Sequence, residues 1–473
     1  MLERLRRRLE ETKLIPPGST VLVGYSGGAD STCLLHLLSQ LEVPVIAAHL
    51  NHGQRAEAAA DERHCRKFAE QCGAPFASGK ADVPRMSAEL KMGLEEAGRS
   101  ARYNFLEQTL HAAGADLIAT GHTKTDQVET IIHHMARGAG ISGLAGIPER
   151  RGNIVRPLLT FERGETYEYC RQHGFAVLDD PSNSDLSLSR ARIRHRILPE
   201  LQRVNPNVFD AVIRLSQIAA DEDRFLNGLA AAALERSEAT LNGELAFLTK
   251  DVELGLDRSL LLSHPAVLVS RGIRLAVEAL GGALDYPQTV TVVSGLAALD
   301  KGSVTAEGGK IVVEWTQDLV RVHRLTTHRP FRWALEMPGE TESIDLGWRL
   351  TASVGEPSGA PNTRAALRAE LDPAQIKGNL YFRGWEPADR IQPLGFEGTR
   401  KVASLLSEAK LSSAAKQRLP IICDVLGPVW IPGVCLSGRV TSRNSSNSVI
   451  SLYFEPVGRN RGHNVETLST SQA

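Results

Sequence analysis

The sequence predicts an α/β protein: a doubly wound parallel sheet over the first ~200 residues, then a mainly helical middle and a small α+β C-terminal domain. Three observations carry this. The apolar run Val21–Tyr25 ends in a Ser-Gly-Gly loop and passes at once into an apolar-periodic segment, which is strand, loop and helix in succession. Short β-branched runs then alternate with helical periods as far as His173. Beyond Asn205 that alternation stops, and beyond Pro330 the chain changes again to short strands rich in Pro and Gly.

In order, the expected strands are Val21–Tyr25, Val45–Leu50, Pro75–Ser78, Leu117–Thr120 and Ile154–Val155. Between and after them the periodicity predicts helices over Ser31–Leu41, Ala59–Cys72, Met86–Ala113, Lys124–Ala136 and Phe161–His173. Asn205 to about Leu280 reads as helix with few turns, and Ser303–Ala306 pairs with Lys310–Trp315 across Glu307-Gly308-Gly309. These readings divide the chain into 1–204, 205–328 and 329–457, with a polar, disordered tail over 458–473.

Composition narrows the class. The chain has 473 residues, a formal charge of −1 and 42% hydrophobic residues, which describes a soluble globular protein too long for one core. No apolar run approaches the ~20 residues of a membrane span. The basic, amphipathic Met1–Lys13 lacks the apolar centre of a secretion signal. The six cysteines are scattered without a C-x-x-C pair, which argues against a disulfide scaffold or a zinc site and for a reducing cytoplasm. Basic residues concentrate twice, in Arg190–Arg203 and in Arg400–Arg418. Either run is a solvated helix face or a nucleic-acid surface.

In a doubly wound sheet ligands sit beyond the carboxyl ends of the strands, where Ser26, Asn51 and Gly121 fall. Ser26, Gly27, Gly28, Ala29 and Ser31 form a loop at a helix N-terminus whose N–H groups and hydroxyls suit phosphate. A Walker loop would end in Gly-Lys-Ser/Thr; here an acid, Asp30, precedes Ser31. A carboxylate beside phosphates makes sense mainly as a ligand of Mg²⁺. His49 and Asn51 can border a nucleobase, whereas His49 and His52 have no neighbours to complete a zinc tetrahedron. Asp126 and Glu129 stand three apart on one helix face, and acids there also suit the helix dipole.

The segment Ser26–Ser31 resembles the S-G-G-x-D-S signature of the PP-loop ATP pyrophosphatases, which cleave ATP between the α and β phosphates. Further motifs follow in order: H-x-N-H-G from His49, G-H-x-x-x-D-Q-x-E-T from Gly121, R-G-x-G-x-x-G-L-x-G from Arg137, D-P-S-N from Asp180 and R-x-R-I-R-x-x-I-L-P from Arg190. With Arg383–Gly395, Pro420–Asp424 and Trp430–Gly433, they resemble the tRNA(Ile)-lysidine synthetase family over residues ~15 to ~440. Three positions depart from its pattern: Thr125 where an acid is usual, Ala191 where Asn is usual, and Ala388 where Gly is usual.

The resemblance implies an N-type ATP pyrophosphatase domain and a ligase. Free L-lysine would be joined to carbon 2 of the wobble cytidine of a tRNA(Ile) with a CAU anticodon, through an adenylated cytidine, with release of AMP and pyrophosphate. Codon reading would change from AUG to AUA, and amino-acid identity from Met to Ile. It further implies ATP and Mg²⁺, with phosphate contact by the 26–31 loop, Mg²⁺ on Asp30, adenosine near His49 and Asn51, and the lysine ammonium near Asp126 and Glu129. Arg99, Arg102, Arg137, Arg194, Arg390, Arg400 and Lys401 are the expected contacts for phosphate or tRNA. The sequence leaves the oligomeric state open, a homodimer included. Rival readings are a PP-loop tRNA thiolase, which usually needs paired cysteines, a GMP-synthetase-type ligase, which needs a glutaminase region, and a non-catalytic RNA-binding PP-loop protein.

Overall fold

The computed structural model describes residues 1–51, 58–178, 186, 189–306, 308–325, 330–358, 362–441 and 448–457. The sequence expectations at His52–Arg55, Asp179–Asn183 and the 458–473 tail fall outside these residues. The chain separates into two compact units, Met1–Phe225 and Leu226–Ala473, with the boundary inside one long helix, Val208–Ser237.

The first unit is built on a six-stranded sheet. In chain order its elements are α1 (Leu2–Thr12), β1 (Val21–Gly24), α2 (Ala29–Gln40), β2 (Val45–Asn51), α3 (Ala58–Gln71), β3 (Phe76–Lys80), α4 (Val83–Leu90), α5 (Leu94–Ala113), β4 (Leu117–Thr120), α6 (Lys124–Ala136), α7 (Ile141–Leu144), β5 (Arg150–Arg151), β6 (Ile154–Val155), α8 (Arg163–Gln172), α9 (Ser189–Arg192) and α10 (Leu198–Val204). The strand order is β3-β2-β1-β4-β6-β5, parallel except for β5, which returns on β6 as a hairpin. From β1 the chain winds outward through β2 and β3, then crosses to β4 on the other side. The switch point therefore lies between β1 and β4, where Gly24 pairs with Thr120.

The central strands are largely apolar because both faces are covered, whereas the edge strands β3 and β5 are half-buried or exposed. Val21, Val23, Ala47, Leu117, Ala119 and Val155 pack on one face with Leu34, Leu38 and Phe161. Leu22, Ala48, Ile118 and Ile154 pack on the other against Leu106 and Leu110 of α5. The single helix expected over Met86–Ala113 is two, because Lys91 adopts a left-handed φ of 52° and Gly93 caps α5. Beyond α9, residues Ile193–Ile197 form one π-helical turn, a widening that recurs at functional sites.

The second unit holds two layered parts. Antiparallel strands Glu253–Asp257, Leu319–Arg324, Ile311–Trp315 and Gly302–Thr305 form a sheet packed beneath helices Ala266–Ala279 and Tyr286–Ala298. The middle is thus helical with a sheet, and the strand pair expected at 303–315 is its edge. After Pro330 come a five-stranded and a four-stranded antiparallel sheet around one core centred on Trp348, Phe382 and Trp430. Leu245 and Leu248 of the middle segment belong to that core as well. Ser412 donates to the buried Glu253 at 2.7 Å, and Arg418 pairs with Asp251 at 2.5 Å.

Candidate active site

The loop after β1 is shaped for an anion. Gly27 holds a φ of +83°, and a Cβ there would lie 2.6 Å from Leu178 Cδ1, so only glycine fits. Gly28 caps α2 without any side-chain cap, which leaves the first-turn N–H groups facing the crevice. Ser26 and Ser31 hydroxyls lie 3.2 Å apart, and Ser31 Oγ donates to the Gly28 carbonyl at 3.0 Å, so both hydroxyls are held at the loop mouth. Ala29 begins the helix, and its carbonyl accepts from the Cys170 thiol at 3.4 Å. Gly121, at the end of β4, abuts this turn; a Cβ there would sit 3.1 Å from the Asp30 carbonyl carbon and the Ser31 nitrogen.

Asp30 is set from an element that sequence reasoning read as plain helix. Thr166 of α8 donates to Asp30 Oδ1 at 2.5 Å, and Arg163 Nε stands 3.9 Å from Oδ2. Burial, reinforced by the nearby Asp126 charge, pushes the Asp30 carboxyl up to about 6 against the pull of Thr166, Arg163 and Arg194. The folded value thus exceeds the unfolded one of 3.8, so in the metal-free protein this group's stabilisation is full below pH 3.8 and lost as pH rises through about 6. The stability difference between wild type and Asp30→Asn should therefore move by up to roughly 3 kcal/mol between pH 4 and pH 7, the wild type losing ground as pH rises. Denaturant titrations of both proteins at the two pH values test this; parallel curves would refute it.

Across the switch point, α6 presents the two other acids. Asp126 Oδ2 accepts from the Thr123 backbone and hydroxyl at 2.8 and 2.7 Å, the capping box of α6. Its Oδ1 is left toward Arg194, 3.7 Å away. Glu129 is 1% exposed and takes both Arg194 nitrogens, Nε at 2.5 Å and Nη2 at 2.8 Å. The π-helical turn carries Arg194 into that fork, which buries Ile193 against Val128 and Ile132 of α6. Asp30, Asp126, Glu129 and Arg194 therefore gather in one place, with Arg194 engaged by Glu129.

The remaining expected residues are distributed as follows. His49 is buried on β2, its Nδ1 3.0 Å from the Tyr25 carbonyl, and Asn51 ends β2 with its carbonyl accepting from Ala81 N at 2.9 Å. Arg99 and Arg102 are exposed on α5, with Arg99 over the Tyr103 ring, and Arg137 is exposed at the end of α6. Arg390, Arg400 and Lys401 belong to the other unit. Arg390 donates to Thr399, Arg400 is paired with Glu408, and Lys401 is exposed.

Four side chains at the site were not singled out from sequence: Thr166, Arg163, His122 and Arg156. Only the last two had a signal, since both follow strands at the carboxyl edge. His122 shares a hydrogen bond of 2.8 Å with Thr120. Burial first, then Arg156, Arg99 and Arg102, depress its ring well below the usual imidazole range against the pull of Asp126, so it is neutral at pH 7. Gln127 clamps the glycine-rich loop that follows α6. It accepts from Ile147 N at 2.5 Å and donates to the Ile147 carbonyl at 3.2 Å, and a Cβ on Gly146 would meet its Oε1 at 2.7 Å.

Known proteins resemble this chain over nearly its whole length. Residues 1–201 match the family model described as PP-loop domain, and residues 380–452 match the one described as TilS substrate C-terminal domain. A tRNA(Ile)-lysidine synthase of Symbiobacterium thermophilum is 31% identical, covering 95% of this chain and 97% of its own. One from Geobacillus kaustophilus is 30% identical over 96% of this chain and 99% of its own. A solved TilS C-terminal domain is similar over 27% of this chain and 98% of its own, at 23% identity and a TM-score of 0.26. The chain is therefore a PP-loop enzyme, and it belongs to the tRNA(Ile)-lysidine synthase family.

Proposed function

We propose that this enzyme joins free L-lysine to carbon 2 of the wobble cytidine of a tRNA(Ile) with a CAU anticodon. ATP first adenylates the carbonyl oxygen on that carbon and releases pyrophosphate; the lysine ε-amine then attacks and expels AMP. The observation that carries the reading is the convergence of a phosphate-shaped loop, Asp30 and two further carboxylates at one switch point. The open first turn of α2 and the Ser26 and Ser31 hydroxyls cradle phosphate. Asp30, with one oxygen held by Thr166, would hold Mg²⁺, which takes one or two carboxylates together with phosphate oxygens and neutralises charge on them.

The ε-amine must be neutral to attack. Asp126 Oδ1 is the carboxylate oxygen placed to accept its proton, while Glu129 fixes Arg194 and contributes negative charge behind it. Arg163, 3.9 Å from Asp30, would meet phosphate oxygens, with Arg194 held beside Asp126 by Glu129 adding positive charge to the site. Radiolabelled lysine transfer to a tRNA(Ile) transcript, with and without ATP, tests the reaction. No ATP-dependent incorporation would remove this reading, and sulfur transfer in its place would favour a thiolase.

The tRNA surface is tested in the second unit. Arg400 is engaged by Glu408 and Arg418 by Asp251, which leaves Lys401 and Lys410 as the exposed cations of this run, with Arg390 exposed just before it. Substituting Arg390, Lys401 and Lys410 together by alanine should weaken tRNA binding and flatten its logarithmic salt dependence by roughly 0.7–0.9 for each phosphate that is no longer neutralised. Binding isotherms at several salt concentrations read this, and an unchanged slope would move the tRNA off this face. Point variants suit the test better than removing residues after 328, because Leu245 and Leu248 are buried in the C-terminal core.

A further inference from the structure

Arg156 follows β6 at the carboxyl edge of the sheet, and β4 pairs beside it with Ala119 opposite Val155. It is 3% exposed. Its Nη1 donates to the Pro148 carbonyl at 2.6 Å, its Nε has no partner, and among the described residues no carboxylate pairs with it. A guanidinium cannot shed its charge, so burying it without a counter-charge is costly, and the site is electrostatically incomplete without an anion. The acids of the pocket do not supply one: Glu129 is taken by Arg194, and Asp126 is held by its capping box.

Two anions of the proposed reaction fit poorly. In the proposed function the triphosphate sits at the α2 turn, where the guanidinium beside Asp30 is that of Arg163, its Nε 3.9 Å from Oδ2. A tRNA phosphodiester is bulky and would meet the exposed Arg99 and Arg102 before a side chain shielded to this degree. A small carboxylate remains. Asp126 and Arg156 act on His122 with opposite signs, so a negative and a positive group both stand near this ring at the carboxyl edge, matching the two charged ends of a free amino acid.

We infer that Arg156 is the receptor for the α-carboxylate of the lysine substrate, and hence a residue that selects a free amino acid over a simple diamine. The inference rests on the proposed function above, and it asks for a fork-like, two-point contact that lysine in place of arginine would not reproduce.

The test compares lysine with lysine amide, which keeps both amines and lacks the carboxylate charge, as substrates of the full-length enzyme. Wild type should prefer lysine by about tenfold or more in kcat/KM, and Arg156→Gln should bring the ratio close to one, chiefly by raising the lysine KM. Arg156→Lys should recover part of the preference. A ratio unmoved in the variant, with the KM for ATP or tRNA raised instead, would assign Arg156 to phosphate and overturn the inference. Should Arg156→Gln fail to fold, the wild type decides alone: equal use of lysine and lysine amide excludes a carboxylate receptor. Absence of any lysine incorporation by wild type would instead remove the proposed function, a distinct outcome.

Discussion

Asp30→Ala is expected to abolish turnover while the protein stays folded. The carboxylate stands at the first turn of α2, positioned by Thr166 at 2.5 Å, with Ser26 and Ser31 hydroxyls at the same loop mouth. Removing the group that would hold Mg²⁺ against the reacting phosphates should cost about 3–5 kcal/mol of transition-state stabilisation, or two to four orders of magnitude in kcat/KM. Thr166 also hydrogen-bonds the Arg163 carbonyl at 2.8 Å, so its hydroxyl stays partnered in the variant and the fold is expected to hold. Pyrophosphate release at saturating Mg²⁺, with circular dichroism as the folding control, decides the matter. Activity within about tenfold of wild type would take Asp30 out of the chemistry.

The second large effect is expected at the Glu129–Arg194 fork. Glu129→Gln takes the two-point partner from a largely buried guanidinium and leaves Asp126, 3.7 Å away, as its remaining counter-charge, which should destabilise the protein by about 1–3 kcal/mol. If the proposed function holds, the same change also removes negative charge from beside the lysine ammonium, so the lysine KM should rise well beyond the ATP KM. The two consequences separate in the double variant Glu129→Leu/Arg194→Met. An apolar pair of similar size should recover much of the stability, because neither buried charge is then unpaired, and should recover none of the activity. Denaturant unfolding and lysine titrations read the two sides. A double variant as unstable as the single one would show that packing, not the ion pair, holds this corner.

Much of the first unit was legible before any tertiary information. The strands at 21–24, 45–51, 117–120 and 154–155 are short, largely apolar runs between helical periods, and that pattern alone implies a parallel sheet whose centre is buried on both faces. The loop at 26–31 was legible for the same local reason: glycines, hydroxyls and an acid within one turn describe their own backbone shape and charge. The break at Lys91 and the hairpin strand Arg150–Arg151 were not, since a left-handed residue other than glycine and a two-residue exposed strand leave almost no periodic trace.

The partners of the functional groups were decided by tertiary structure alone. Thr166 reaches Asp30 from 136 residues away, and Arg194 reaches Glu129 from 65. Charge pattern on one helix could not distinguish a solvated basic face from an arginine turned inward, because that depends on which helix packs opposite. Likewise Arg156 looked like any residue after a strand until burial removed its water and, among the described residues, no carboxylate replaced it. By itself, then, the sequence determined the strand and helix alternation of the first unit and the shape of the loop at 26–31, each encoded within a short stretch of chain. Which acid is free, which is clamped and which cation lacks a counter-charge are properties of contacts between distant segments, and only the folded chain decided them.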